Sequence, residues 1–170
     1  MKRVTYLMCC LAIGSAAMMF PHSAKAQASN ADKKFLAEAS QGNYDEIQLG
    51  KLAEQKATNP DVKAFGRRMV TDHTKLGEKM EPYAKDWGIS EPTGLSPDAQ
   101  KQYNDLSGLS GADFNKTYIS DMVSDHTKDL DAFTKEVDDT KDAKFKTTVE
   151  QGKSVVAAHK NMAYDLKKKL

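Results

Sequence analysis

Seven residues occur almost twice in this chain, 53 positions apart: Met69-Val70-Thr71-Asp72-His73-Thr74-Lys75 and Met122-Val123-Ser124-Asp125-His126-Thr127-Lys128. The one difference, Thr71 against Ser124, exchanges one hydroxyl for another. Each copy lies in a run of apolar residues spaced three and four apart. The first is Phe65, Met69, His73, Leu76, Met80, Tyr83 and Trp87, and the second Ile119, Met122, His126, Leu130, Phe133 and Val137. That spacing paints one face of an α-helix and is incompatible with the alternation of a strand. In both copies the histidine falls on the apolar face.

Two further runs have the same period. Phe35, Ala39, Gly42, Glu46, Leu49 and Ala53 mark a helix over residues 32–57, with Asn30 as N-cap. Phe145, Val149, Gly152, Val156, His159, Ala163, Leu166 and Leu170 mark the last one, and Lys167, Lys168 and Lys169 suit the negative end of its dipole. Gly42 and Gly50 are poor helix formers, so the expectation is that both serve close helix approach. Asn59-Pro60 opens the second helix, and Pro82 is expected to kink or stop it. Residues 88–95 form a loop, Ser96-Pro97 starts a short helical piece to residue 106, and residues 108–111 break the chain again. Ser110 and Asp113 resemble a capping pair for a third long helix over residues 112–137. No strand pattern occurs. The expected fold is all-α, a four-helix bundle with a long connection and short extra helix between the second and third helices. That connection is long enough to cross the bundle, so up-down-down-up and up-down-up-down orders both remain open.

The first 26 residues read differently. Lys2 and Arg3 precede an uncharged stretch from Val4 to Phe20, and Ala24-Lys25-Ala26 forms a small-x-small site: the pattern of a secretory signal peptide. The expected domain is residues 27–170, exported to the periplasm or secreted. Cys9 and Cys10 are the two cysteines, so the exported part has no disulfide or thiolate chemistry. Loss of Lys2, Arg3 and Lys25 moves the formal charge from +1 to −2, which leaves no basic footprint for nucleic acid. No second apolar run is long enough to be an integral membrane segment.

Phe35-Leu36, Glu46-Ile47, Leu52-Ala53, Val62-Lys63, Met69-Val70, Asp72-His73, Gly111, Phe114, Tyr118, Met122-Val123, Asp125-His126 and His159 follow one another in an order that resembles a family of exported bacterial proteins of unknown function. The family is classed with the ferritin-like superfamily and often labelled "predicted outer membrane protein". The resemblance covers nearly all of residues 27–170. It implies a ferritin-like four-helix bundle in an envelope or stress-related setting, with no established activity. The outer-membrane label sits poorly with a chain that has no alternating strands for a barrel. The sequence departs from the family at Phe114-Asn115, where Phe-Asp is frequent, and at Gly152-Lys153, where Leu-Pro is frequent.

Ferritin-like di-iron sites need Glu-x-x-His on two helices. Here Val70, Val123 and Val156 stand three residues before His73, His126 and His159, so ferroxidase chemistry does not carry over. What remains is one polar residue per inward stripe: Glu46, His73, His126 and His159. Counting residues from the turns puts the first three within a helical turn of one another and His159 one to two turns away. Such a set can hold a single divalent transition metal, zinc, iron, manganese or copper, with Asp72 and Asp125 supporting a neighbouring helix's histidine. Equally, it can be a core hydrogen-bond network that fixes helix register without metal. Met69 and Met122, one turn before their histidines, add a copper or haem reading, set against the ordinary use of Met as core filler. No serine elbow, phosphate loop or catalytic triad is present. The sequence thus points to a non-enzymatic exported bundle, either metal-binding or structural, the latter with an envelope protein as its class of partner.

Overall fold

The computed structural model describes residues 28–170, and the expected leader, residues 1–26, lies outside them. Five helices follow in order: α1 (Asn30–Lys56), α2 (Pro60–Trp87), α3 (Pro97–Ser107), α4 (Gly111–Asp139) and α5 (Ala143–Lys167). No strand occurs among the described residues, and no helix there is long and apolar enough to cross a membrane.

The starts of the helices are set by local chemistry. Ser29, one residue earlier than expected, caps α1: its hydroxyl accepts from Asp32 N, and the Asp32 carboxylate accepts from Ser29 N. Asn59 and Asp142 cap α2 and α5 with side-chain oxygens that each accept two backbone N–H bonds, and Ser96 caps α3. Ser110 precedes α4 but makes no side-chain cap, contrary to the capping pair expected with Asp113. Pro82 does not stop α2, which runs five residues further and ends at Gly88 in the left-handed region (φ 70°).

Two apolar clusters fix the direction of each helix. One joins Leu49, Leu52 and Ala53 late in α1, Val62, Phe65 and Met69 early in α2, Phe114, Tyr118 and Met122 early in α4, and Ala163 late in α5. The other joins Leu36 early in α1, Leu76, Met80 and Ala84 late in α2, Phe133 late in α4, and Phe145, Val149 and Val156 early in α5. Helices α1 and α5 therefore run one way and α2 and α4 the other. The order is up-down-down-up, with one long crossover between α2 and α4.

The crossover is clipped along α1. Gln41 Nε2 donates to Gly94 O (3.0 Å), Asp45 Oδ1 accepts from Ser96 N (3.0 Å), and Lys56 Nζ donates to Ser107 O (2.7 Å). Gln102 of α3 reaches across to Asp125 of α4 (2.9 Å). The short helix thus covers the α1–α4 seam from the level of Asp45 and Asp125 upward, with Leu106 fully buried beneath it.

The expected role of the glycines holds for one of the two. Gly50 and Gly66 face each other where α1 meets α2, and a Cβ on either would sit 2.9 Å from the other's carbonyl oxygen. Gly42 has nothing within 4 Å of such a Cβ and is not an approach point. Asn115 ties the α1–α2 turn to α4: its Oδ1 accepts from Thr58 N (3.2 Å) and its Nδ2 donates to Thr58 Oγ1 (2.9 Å). A carboxylate at this position would accept the first bond but could not donate the second.

The two classes of glycine should separate cleanly in urea unfolding. Gly66→Ala forces rigid backbones apart and is expected to cost about 1–3 kcal/mol, despite better helix propensity. Gly42→Ala meets no obstacle and is expected to stabilise by about 0.5–1 kcal/mol.

Candidate metal centre

Between the two apolar clusters lies a polar layer. His73 of α2, His126 of α4 and His159 of α5 are all buried, the last two with no exposure at all. Their rings form a triangle with centroid separations of 5.8, 5.1 and 5.4 Å. One nitrogen from each ring lies within 4.8 Å of the other two. The displacement of His159 expected from counting is absent. His126 lies thirteen residues before the end of α4 at Asp139, and His159 sixteen after the start of α5 at Ala143. The three-residue difference is about 4.5 Å of rise, which the reach of an imidazole covers.

Each ring is held by its outer nitrogen. His126 Nδ1 donates to the Met122 carbonyl one turn earlier (2.9 Å). His73 Nδ1 donates to Asn43 Oδ1 of α1 (3.1 Å). His159 Nε2 donates to Asp72 Oδ2 of α2 (3.0 Å). All three partners are acceptors, so these nitrogens carry the hydrogens of the neutral rings. The opposite nitrogens, His73 Nε2, His126 Nε2 and His159 Nδ1, are buried with no hydrogen-bond partner. Each is a lone pair, and an unsatisfied buried polar atom costs about 1–3 kcal/mol.

The environment keeps the rings neutral. Burial pushes His73 well below its ordinary value, and the neighbouring His159 and His126 push it further. Burial, then His159, lowers His126 to about 4, against the raising effect of its bond to Met122 O. Burial also lowers His159, although Asp72 opposes the shift. Burial alone would raise Asp72, but hydrogen bonds from Arg68 and His159 outweigh it and hold the carboxyl below its usual range. Asp72 is thus an anion clamped between a guanidinium and an imidazole.

Glu46 and Asp125 stand apart from the triangle. Glu46 Oε1 is 3.9 Å from His126 Nδ1, on the side of the ring already committed to Met122. Its Oε2 has no partner, and burial, with Asp129, Asp125 and Asp45 nearby, raises its carboxyl well above the ordinary range. Asp125 accepts from Gln102 and pairs with Lys128 (3.4 Å), and no hydrogen bond joins it to a histidine. The two repeat copies therefore share a sequence but not a role: Asp72 supports the ring of His159, whereas Asp125 anchors the crossover. Met69 and Met122 are both fully buried core residues, and Met122 serves the site through its backbone oxygen.

Sequence reasoning missed Asn43. It precedes Glu46 by three positions and so lies on the same face of α1, which was the available signal. Its side chain sits against Gly77, where an added Cβ would be 2.9 Å from Asn43 Nδ2. Tyr118, with a buried hydroxyl that also lacks a partner, was the other omission from the polar layer. Burial and then the charge of Glu46 push its phenol upward.

A cavity of about 250 Å³ opens between α1 and α4 below the start of α3. Phe35, Ala39, Gly42 and Asn43 line it from α1, Lys128, Asp129 and Phe133 from α4, and His73 from within.

A metal with tetrahedral geometry at about 2.0–2.1 Å from each nitrogen would set the ligand atoms about 3.4 Å apart. The triangle needs at most a modest inward turn of its rings to meet that distance. Three imidazoles on three helices, each fixed by an outer acceptor, are the donor set that zinc, copper, iron and nickel accept.

The chain belongs to the DUF4142 family, a domain of unknown function, whose model matches residues 17–166. No curated protein matches it. Among solved structures it is similar to the crystal structure of a DUF305 fragment from Deinococcus radiodurans, with a TM-score of 0.74 and 12% identity over 84% of this chain and 99% of that one. At that identity the likeness concerns the helical fold alone.

The protonation state of the layer makes a pH prediction for metal-free protein. His126 titrates near 6.5 when unfolded and near 4 when folded, so between those values the unfolded chain binds more protons. Its contribution is complete above about pH 6.5 and is lost as pH falls through about 4. Glu46 and Asp129, the latter raised to about 6 by burial and Asp125, act in the opposite direction. Comparison with a variant isolates the histidine. The stability gap between the native protein and His126→Phe should narrow by up to about 1.4 kcal/mol per pH unit on acidification across that window. Urea titrations at half-unit intervals would measure it.

Proposed function

We propose that this protein is an exported, ferritin-like helical bundle that binds one divalent transition metal at His73, His126 and His159, in an envelope or stress-related setting. The observation that carries the metal site is the arrangement of hydrogens. Each ring has one nitrogen on an acceptor and the other buried without a partner, and one nitrogen from each ring lies within 4.8 Å of the other two. A purely structural network would be expected to supply donors to those lone pairs. A cation satisfies all three at once. Zinc and copper suit an all-imidazole set better than manganese, which favours oxygen donors. Glu46, part of the expected ligand set, is better read as a nearby carboxyl that reaches His126 from behind.

The up-down-down-up order with a single crossover supports the ferritin-like reading. The leader pattern in residues 1–26 supports export. No residue set supports a di-iron reaction, so metal binding or handling, rather than ferroxidase chemistry, is the function in view.

Metal analysis by mass spectrometry of protein purified without chelator tests this directly. About one metal per chain is expected, falling to background in His126→Ala and His159→Ala. Chelation should lower the melting temperature of the native protein but not of those variants. Protein that is folded, metal-free, refractory to reconstitution and indifferent to chelator would leave the histidines as architecture. Asp72→Asn should keep the fold and weaken metal affinity about 10–100-fold, because the amide leaves His159 less basic and less firmly oriented.

A further inference from the structure

The geometry points to an exchangeable coordination position on this metal, reached through the α1–α4 cavity and taken by a small anion from solvent. The inference rests on the tri-histidine reading above. Three helices, α2, α4 and α5, each donate one ring to the centre, and α1 donates none. Glu46, the buried α1 carboxyl that comes within 3.9 Å of a ring, approaches His126 at Nδ1, the nitrogen already bonded to Met122 O. The fourth position of a tetrahedral metal is therefore left without a protein ligand, as in metal sites that keep a place for water or substrate.

Charge decides what fills it. Three neutral imidazoles bring no charge to a divalent ion, and Asp72, bonded to His159 and shared with Arg68, offsets only part of it in a buried layer, where the remainder is costly. An anion bound directly to the metal removes much of that cost.

The shape of the bundle supplies the path. Helix α3 closes the α1–α4 seam above the Asp45–Asp125 level, through Ser96 and Gln102. Below it the seam stays open as the cavity of about 250 Å³, with His73 among its lining residues. Gly42 keeps this part of the seam clear, since nothing lies within 4 Å of a Cβ built there. Phe35, Leu76, Phe133 and Val156 make the walls largely apolar, with Lys128 beside the carboxyls of Glu38 and Asp129, so the passage fits a small, weakly hydrated anion better than a large or multiply charged one. The larger groove between α1 and α2, about 370 Å³, does not include any of the three histidines among its lining residues.

Cobalt-loaded protein titrated with sodium azide provides the test, because the visible spectrum of Co²⁺ reports its coordination. Azide should shift the spectrum of the native protein saturably. Gly42→Leu places a side chain in the passage and should keep one cobalt per chain and near-native azide affinity, while azide binding followed by stopped-flow absorbance slows at least tenfold. Ala132→Leu, at the exposed mouth on α4, is a second block should the first disturb folding. Ser40→Leu, in the groove between α1 and α2, should bind azide at the native rate. Slower cobalt uptake by either blocked variant would also support the route. A cobalt-loaded native protein with no azide response, or both blocked variants binding azide at the native rate, would overturn the inference and leave the metal site intact. Native protein that takes up no cobalt would overturn the metal reading itself.

Discussion

Three clustered histidines, each with one nitrogen buried and unpartnered, are an unusual thing for a protein core to hold. Imidazoles are amphoteric, and a network free to choose its tautomers would alternate donors and acceptors. Here the choice is removed from outside. A backbone carbonyl, an amide oxygen and a carboxylate each claim the hydrogen of one ring. Those acceptors come from α4, α1 and α2, so all four long helices take part in fixing the layer. Arg68 extends the arrangement by holding Asp72 ionised at the edge of the bundle.

The rest of the fold is arranged around that layer without competing with it. Apolar clusters fill the bundle above and below. The close Gly50–Gly66 contact brings α1 against α2 near one end, and the aromatic set of Phe35, Tyr83, Trp87, Phe133 and Phe145 packs the other. The crossover returns the chain to the first end, so that α4 can run parallel to α2. Only then do the two copies of the repeat deliver their histidines from diagonal helices to the same height.

Periodicity made the helices readable, because each stripe is a record of one buried face. Every residue of the α5 stripe from Phe145 to Ala163 is buried, and the α2 stripe is buried from Phe65 to Met80. Glu46, His73, His126 and His159 were visible for the same reason: polar residues in apolar stripes. Periodicity says nothing about what lies beyond a helix's own face. The heights of separate helices depend on where turns begin, and His159 was misplaced because α5 starts at Ala143 rather than directly after the turn. Partners depend on neighbours, so the identical Asp-His pairs could not disclose that Asp72 faces His159 while Asp125 faces α3. Asn43 stood beside a recognised position but carried no mark of its own. Gly42 and Gly50 look alike in sequence, and only the helix opposite distinguishes them.

The polar layer also acts as a ruler. Helices in an apolar bundle can slide past one another at low cost, because one leucine replaces another at the interface. A slip of one turn, about 5.4 Å, would here carry a histidine out of the layer and into an apolar cluster, and for α2 it would part His73 from the Asn43 that holds it. For α5 it would part His159 from Asp72 and set the carboxylate against aliphatic neighbours. The Asn43–His73 and Asp72–His159 bonds thus define a single alignment of α1, α2 and α5, and they do so at the point along the bundle where the apolar residues could not.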